Sequence, residues 1–320
     1  MGVLILKFKV LFLKRKQIYY FLLIVIVLIF FGFSILSDNR TSYTTFSIGS
    51  IDKVYKSDLT GDGKQDVLYI TLNKDKYCLQ VNTEKDSFYL EPSKNLASVG
   101  NYCPYWPMRV NILDISRDKI PEIFIQSSKE NRPIQHVFLY EKNRFKDIFC
   151  SYNNILGFID CTNNKTPKMI SGNISKNNFS FSNYILLQGK LERYNYRAEE
   201  TFMGKDTILS FINAITSLNP ENIQLPQEIF DPKTYDKALP IIESMANSSS
   251  NFIFQDASFI DTKSNKDGDP IQVEWTLNFR ANSIKSLKDI RNHTLKLKLN
   301  FFKDSKEKYC FKISSLYVKK

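Results

Sequence analysis

The chain has 320 residues, 43% hydrophobic and 24% charged, with 44 Lys and Arg against 33 Asp and Glu for a formal net charge of +11. This composition excludes a wholly disordered chain, and 11 Gly with 11 Pro exclude collagen-like and proline-rich classes. Its two histidines, His136 and His293, exclude a centre with three or more histidine ligands from one chain.

The first element in chain order is apolar. Ile18 to Leu36 runs 19 residues without a charge. As a helix rising about 1.5 Å per residue it covers about 30 Å, the thickness of a bilayer core. A buried helix of that length carries a polar face, and this one has none. Lys7, Lys9, Lys14, Arg15 and Lys16 precede it. The expected topology is therefore a cytoplasmic basic tail (1–17), one transmembrane helix (18–37) and the rest of the chain outside, at the cell membrane. The preferred reading of the tail is a topology signal only; a place on the anionic inner leaflet is the second reading. The rival reading is a cleaved signal peptide, whose apolar region is about 7–15 residues with an A-x-A-like exit. The longer run and the sequence Phe33-Ser34-Ile35-Leu36-Ser37 match neither feature.

Residues 1–40 hold six cations and one acid, leaving 38 cations and 32 acids, or +6, in the outer part. That modest excess suits an anionic wall polymer or lipid surface as partner, or another envelope protein. The basic residues are scattered and no recognition motif occurs, so nucleic acid is not expected. The frequent Lys, Asn, Ile and Phe match an AT-rich bacterial coding bias.

From 42 to 198 short apolar strands alternate with Asp, Asn and Gly turns, as in Val67–Leu72, Glu122–Gln126, His136–Tyr140 and Tyr184–Gln188, which predicts an all-β module. It contains an internal repeat. Lys56 to Ile70 aligns with Ile112 to Gln126 and, more weakly, with Gly157 to Ile170. In the first copy Asp58, Thr60, Asp62 and Asp66 fall at loop positions 1, 3, 5 and 9, Lys64 offers its carbonyl at position 7, and Gly61 and Gly63 allow a sharp turn. Calcium takes six to eight hard oxygens, and alternate positions of a tight loop converge in this way; magnesium demands stricter geometry. The second copy keeps Asp114, Ser116, Asp118 and Glu122 but carries Arg117 and Lys119 in place of the glycines. The third has Asn164 and Lys168 where acids would stand and is not expected to bind metal. A polar Asp/Gly turn without metal is the plain alternative for the first loop. Gly61-Asp62-Gly63-Lys64 lacks the spacing of a phosphate loop and precedes a strand.

The D-x-T-G-D-G-x-x-D run followed by an apolar strand resembles the FG-GAP/VCBS repeat of integrin-like β-propeller blades. The resemblance implies a calcium loop joining two strands of a blade, with Asp58, Thr60, Asp62, Lys64 and Asp66 as ligands. Three copies are few for a closed ring of four to eight blades, so partial propeller blades or a pile of hairpins is expected.

From 199 to 320 helices precede long strands. Ile208, Leu209, Phe211, Ile212, Ile215 and Leu218 are spaced as one helical face, with Asp206 as N-cap and a stop at Asn219-Pro220. Asp231-Pro232 predicts the start of a second helix, with Pro240 bending or dividing it. Four strands follow, near 251–262, 270–281, 294–302 and 308–318. In the second of these Val273, Trp275, Leu277 and Phe279 alternate with Glu274, Thr276 and Asn278, so one face should pack on the helices and the other meet solvent. This order resembles an NTF2-like (cystatin-like) α+β domain, a fold whose members include enzymes, ligand binders and assembly modules.

No catalytic motif occurs. His293 reads as a surface histidine and Asn265–Asp269 as a hairpin turn. Among five cysteines, Cys78–Cys103 and Cys150–Cys161 are the pairs that oxidation outside the cytoplasm could form with Cys310 left buried; five reduced thiols is the other reading. The expected role is a non-enzymatic, membrane-tethered binding or scaffold protein stabilised by calcium. The alternatives are a component of a secretion, conjugation or sporulation machine, or an enzyme or ligand binder using an NTF2-like pocket.

Overall fold

The computed structural model describes residues 54–175, 178–194, 202–286, 289–302 and 308–319, with Ser47–Ile48, Lys16 and Leu23. Apart from Leu23, the predicted membrane span lies outside the described residues, among which no helix is long and apolar enough to cross a membrane. Backbone proximity divides the chain into two units, Met1–Tyr43 and Thr44–Lys320, and every described strand belongs to the second.

The protein is rich in β-structure. Three four-stranded antiparallel meanders follow one another. The first is β2 (Val54–Ser57), β3 (Asp66–Asn73), β4 (Lys76–Asn82) and β5 (Ser87–Tyr89). The second is β6 (Arg109–Leu113), β7 (Glu122–Lys129), β8 (Arg132–Tyr140) and β9 (Phe145–Ser151), with the short β1 (Ser47–Ile48) on its β6 edge. The third is β10 (Ile155–Ile159), β11 (Lys168–Ser175), β12 (Asn178–Leu187) and β13 (Lys190–Tyr194). Several hairpins turn on two residues at positive φ, such as Glu130-Asn131 (52° and 59°) and Lys142-Asn143 (53° and 56°), the conformation that matches strand twist. Among the described strands no barrel or propeller closes.

Two helices, α1 (Lys205–Thr216) and α2 (Tyr235–Ala246), precede β14 (Ser250–Ser264), β15 (Pro270–Ser283), β16 (Ile290–Phe301) and β17 (Phe311–Lys319). These strands form an antiparallel run that joins the third meander. Ile155 to Phe158 of β10 pair in parallel with Ala257 to Ile260 of β14, giving one sheet of eight strands that runs across residue 198.

The layers follow from the side-chain alternation. Leu68, Ile70, Leu79 and Val81 of the first meander meet Val110, Ile123, Ile125 and Phe138 of the second. The opposite face of the second, through Leu113, Phe124, Val137 and Leu139, meets Leu156, Phe158, Met169 and Ile260 of the eight-stranded sheet. Being covered on both sides, β7 is buried from Glu122 to Ser128. The helices cover the far face of the large sheet, where Ile208, Phe211, Ile212 and Ile242 pack on Trp275, Leu277, Phe279 and Leu297. Trp275 is stacked on Phe259, with ring centroids 4.3 Å apart, as its alternating position predicts.

Three expectations for the C-terminal part are corrected. The first helix begins at Lys205, so Asp206 lies in its first turn, where its charge favours the helix dipole, and Gly204 (φ 73°) is the cap. The second begins at Tyr235 rather than Asp231, whose side chain accepts from Lys233 N–H at 3.0 Å in a preceding turn, and Pro240 sits inside it without dividing it. The sheet face opposite the helices does not simply meet solvent. Thr276, Asn278 and Thr294 are buried there, and Tyr105, Trp106 and Arg109 reach the same face. Arg109 forms an ion pair with Asp256, Trp106 Nε1–H donates to the other Asp256 oxygen at 2.6 Å, and Asn292 Nδ2–H donates to the Tyr105 carbonyl at 3.2 Å.

Both partners of the Arg109–Asp256 pair are buried, with side chains 5% and 2% exposed. Removing one strands the other charge, whereas replacing both does not. Arg109→Met should lower unfolding free energy by about 3–5 kcal/mol, and Arg109→Met/Asp256→Asn should be less destabilised than the sum of its single variants, measured by urea denaturation.

Candidate metal centre

The three loops named in the sequence occupy equivalent places, each joining the first two strands of a meander. Position 1 (Asp58, Asp114, Asp160) follows the end of the first strand, and position 9 (Asp66, Glu122, Lys168) opens the second. The register agrees, with Ser57 opposite Asp66, Leu113 opposite Glu122 and Ile159 opposite Lys168.

In the first loop Asp58 accepts from the amides of Gly61 (2.7 Å) and Gly63 (2.9 Å). Asp62 accepts from the Lys64 amide at 2.9 Å, and one oxygen of Asp66 accepts from Leu59 N–H (2.8 Å) and Thr60 Oγ1 (3.0 Å). The second loop reproduces this pattern. Asp114 accepts from the amides of Arg117 (2.6 Å) and Lys119 (2.9 Å), Asp118 from the Ile120 amide (2.8 Å), and Glu122 from the Ile115 amide (2.8 Å). Gly61 and Gly63 have φ of 77° and 83°; Arg117 and Lys119 take φ of 62° and 75° at the same positions. The second loop thus holds two long side chains in the left-handed region where the first uses glycine, a strained choice.

Under each loop lies a buried carboxylate with one satisfied oxygen. Asp66 Oδ1 and Glu122 Oε1 have no hydrogen-bond partner in the protein, although Asp66 is 1% and Glu122 0% exposed. Such an atom is unfavourable unless something positive reaches it. Ligand atoms of Asp114, Asp118 and Glu122 lie within 4.8 Å of one another, the only acidic, His or Cys group of three or more so placed among the described residues. Glu122 is one methylene longer than Asp66 and reaches its neighbours, so the convergent acids belong to the second loop although the spacing is more regular in the first. Ser116 Oγ donates to Asp114 at 3.1 Å, and the Lys64 ammonium pairs with Glu84. Oxygen donors on a tight loop around a buried carboxylate fit a hard divalent cation such as calcium.

The third loop differs. Lys168 pairs with Asp160, and neither Asn163 nor Lys165 takes a positive φ. Its position-2 amide and position-3 hydroxyl bond instead to Asp261 of β14, a residue that no spacing rule connects to this loop. The loops also touch in sequence: a Cβ on Gly61 would lie 2.6 Å from Ile120, and the Arg117 guanidinium reaches the carbonyls of the third loop. Asn265–Asp269 is a hairpin turn, as expected, closed by Gly268 N–H donating to the Asn265 carbonyl at 3.1 Å.

No disulfide forms among the described residues. Cys150 Sγ lies 3.3 Å from Ser93 Oγ, and Cys161 Sγ faces the Ile159 carbonyl. Burial, then Asp261, raises the Cys161 thiol well above its ordinary value. His136 is buried between Asp147 (2.7 Å) and the Ser98 carbonyl (3.0 Å), a structural pair that the sequence did not signal. His293 is half-buried rather than on the surface, edge-on to Phe252 at 5.4 Å, and burial followed by Arg291 lowers its pKa. It borders a cleft of about 740 Å³ between α2 and the β15–β16 end of the sheet, with Ile241, Met245, Lys285 and Arg291. Arg291 is held by Asp289 through two bonds of 2.9 Å, and no carboxylate orients His293 among the described residues.

No known protein family matches the chain, and no curated protein resembles it significantly.

Burial, opposed by the Ile115 amide, pushes Glu122 up from 4.5 to about 7. The folded chain therefore retains a proton that the unfolded chain releases, and stability falls as pH rises through that window. In chelator, unfolding free energy should drop by up to about 3 kcal/mol between about pH 4.5 and pH 7, and Glu122→Gln should flatten the profile, as read by urea denaturation across pH.

Proposed function

We propose that this protein is a non-enzymatic, membrane-tethered scaffold on the outer side of the cell membrane, whose stacked meanders are FG-GAP/VCBS-like modules stabilised by calcium. The observation that carries the reading is the pair of matching loops, each with a buried position-9 carboxylate that has one unpartnered oxygen. In the second loop Asp114, Asp118 and Glu122 would hold the ion with Ser116 beside them; in the first, Asp58, Thr60, Asp62, Asp66 and the Lys64 carbonyl. The ion supplies positive charge to acids that otherwise repel one another. The following helices and sheet, NTF2-like in element order, form the second presenting surface. The basic outer part favours an anionic wall polymer or an envelope protein as partner, and single-pass envelope machines are the natural setting. The cleft beside His293 supports a second reading as a small-molecule binder, since its volume is that of a ligand site.

The test is calcium titration of the full chain in detergent micelles, by calorimetry and thermal melting. Extracellular calcium modules bind at about 10⁻⁴–10⁻³ M, so the melting temperature should rise by a few degrees at about 10 mM calcium. Asp114→Ala/Asp118→Ala should remove most of the rise, and Asp58→Ala/Asp62→Ala the remainder. A melting temperature indifferent to calcium in the wild type would reduce both loops to polar turns and remove the basis of the reading.

A further inference from the structure

The third loop keeps the framework of the other two with its charges exchanged. At position 9 Lys168 replaces an acid, and its ammonium pairs with the position-1 carboxylate of Asp160; the side chains are 17% and 8% exposed. The carboxylate that should accept from position 2 is supplied from β14. Cys161 N–H donates to Asp261 Oδ1 at 3.1 Å and Thr162 Oγ1 donates to Oδ2 at 3.1 Å, as Leu59 and Thr60 do to Asp66. A second cation enters from the neighbouring loop. The Arg117 guanidinium donates to the carbonyls of Asn163 (2.7 Å), Asn164 (3.2 Å) and Lys165 (2.5 Å), oxygens of the kind a calcium loop turns toward its ion. Of the two buried acids at this loop, Asp160 pairs with Lys168 and Asp261 accepts from the loop itself, while Arg117 covers the loop carbonyls.

We propose that the third loop is a cation site filled from within, the Lys168 ammonium taking the charge position of a divalent ion and Asp261 completing the site from β14. The same loop fastens the third meander to the β14–β15 hairpin, through Asn163 to the Gly268 carbonyl (2.8 Å) and Thr162 to Ser264 (2.8 Å). This seam therefore holds without calcium, and neutralising Lys168 opens the site to a divalent ion. The proposal rests on the metal reading of the first two loops only for the analogy, since the pairing at Lys168 needs no metal.

The experiment is thermal melting of the full chain in detergent, in chelator and in about 10 mM calcium, for wild type, Lys168→Met and Lys168→Met/Asp160→Asn. In chelator Lys168→Met should melt roughly 3–8 °C lower, because a buried carboxylate has lost its partner, and the double variant should recover at least half of that loss. Calcium should raise Lys168→Met by more than it raises wild type, and the excess should vanish in the double variant. Equal melting of Lys168→Met and wild type in chelator would overturn the proposal. So would a destabilised Lys168→Met that calcium lifts no more than wild type, which would make the pair an ordinary ion pair. If Lys168→Met does not accumulate folded, the double variant and Lys168→Gln carry the same comparison. A wild type indifferent to calcium beside a rescued Lys168→Met would retire the proposed function and leave this inference standing.

Discussion

The parallel pairing of β10 with β14 sets the position of everything else. It covers only Ile155 to Phe158 against Ala257 to Ile260, yet it makes the third meander and the C-terminal strands one sheet. A parallel pair needs cover on both faces. The second meander provides one cover and the helices the other. The pairing leaves no room for a side chain at Gly157, where a Cβ would lie 2.1 Å from the Phe259 ring. It also needs the right phase along β14. The bulge between Phe254 and Asp256 shifts the alternation by one, so Phe252, Phe254, Ala257 and Phe259 all face the helical core while Asp256, Ser258 and Ile260 face the second meander. Asp256 is thereby delivered to Arg109 and Trp106, and the polar part of this seam becomes specific in register rather than merely buried.

The three loops solve one hydrogen-bonding problem. The turn leaves the position-2 amide buried, and a buried amide needs an acceptor. A carboxylate answers the need and brings a negative charge into a protected place, which then needs a cation. The first loop answers with short acids and two glycines. The second answers with a longer Glu122 and accepts strain at Arg117 and Lys119. The third moves the acceptor to another strand and supplies the cation from its own side chains. The differences among the loops are thus different answers to where the charge comes from, on a constant backbone junction between two strands.

Much of this was legible in the sequence because it is local. The phase of the repeat, with position 1 at a strand end and position 9 at a strand start, holds in all three copies, and the alternation around Trp275 marks the helix-facing side of β15. The failures share a cause in distance along the chain. Asp261 lies about a hundred residues from the loop it completes, Arg117 acts on carbonyls some 46–48 residues away, and Asn292 donates to the Tyr105 carbonyl 187 residues away. Pattern reading has no access to such contacts. The helix starts failed for the same reason: Asp206 and Asp231 are good caps in isolation, but Gly204 and the turn before Tyr235 define the ends, where Thr207 and Thr234 donate to the β17 carbonyls of Phe311 and Ser314, 104 and 80 residues away. The membrane segment, the most regular feature of the sequence, lies outside the described residues apart from Leu23.

The loops also form an ordered row, and their charges change along it. The first carries Asp58, Asp62 and Asp66 with one lysine, the second Asp114, Asp118 and Glu122 with Arg117 and Lys119, and the third Asp160 with Lys165 and Lys168. The acids number three in the first and second loops and one in the third, while the basic residues number one, two and two. Burial changes in the same direction. The first meander is covered on one face and exposes Val54, Tyr69 and Tyr89 on the other, whereas the third shares its sheet with the C-terminal strands. Cover alone does not decide where the acids stand, since the second meander is covered on both faces and carries the convergent acids. What sets the third loop apart is that its charges are met within the chain, Lys168 pairing with Asp160 and Arg117 reaching the loop carbonyls, at the junction that joins the third meander to the C-terminal strands.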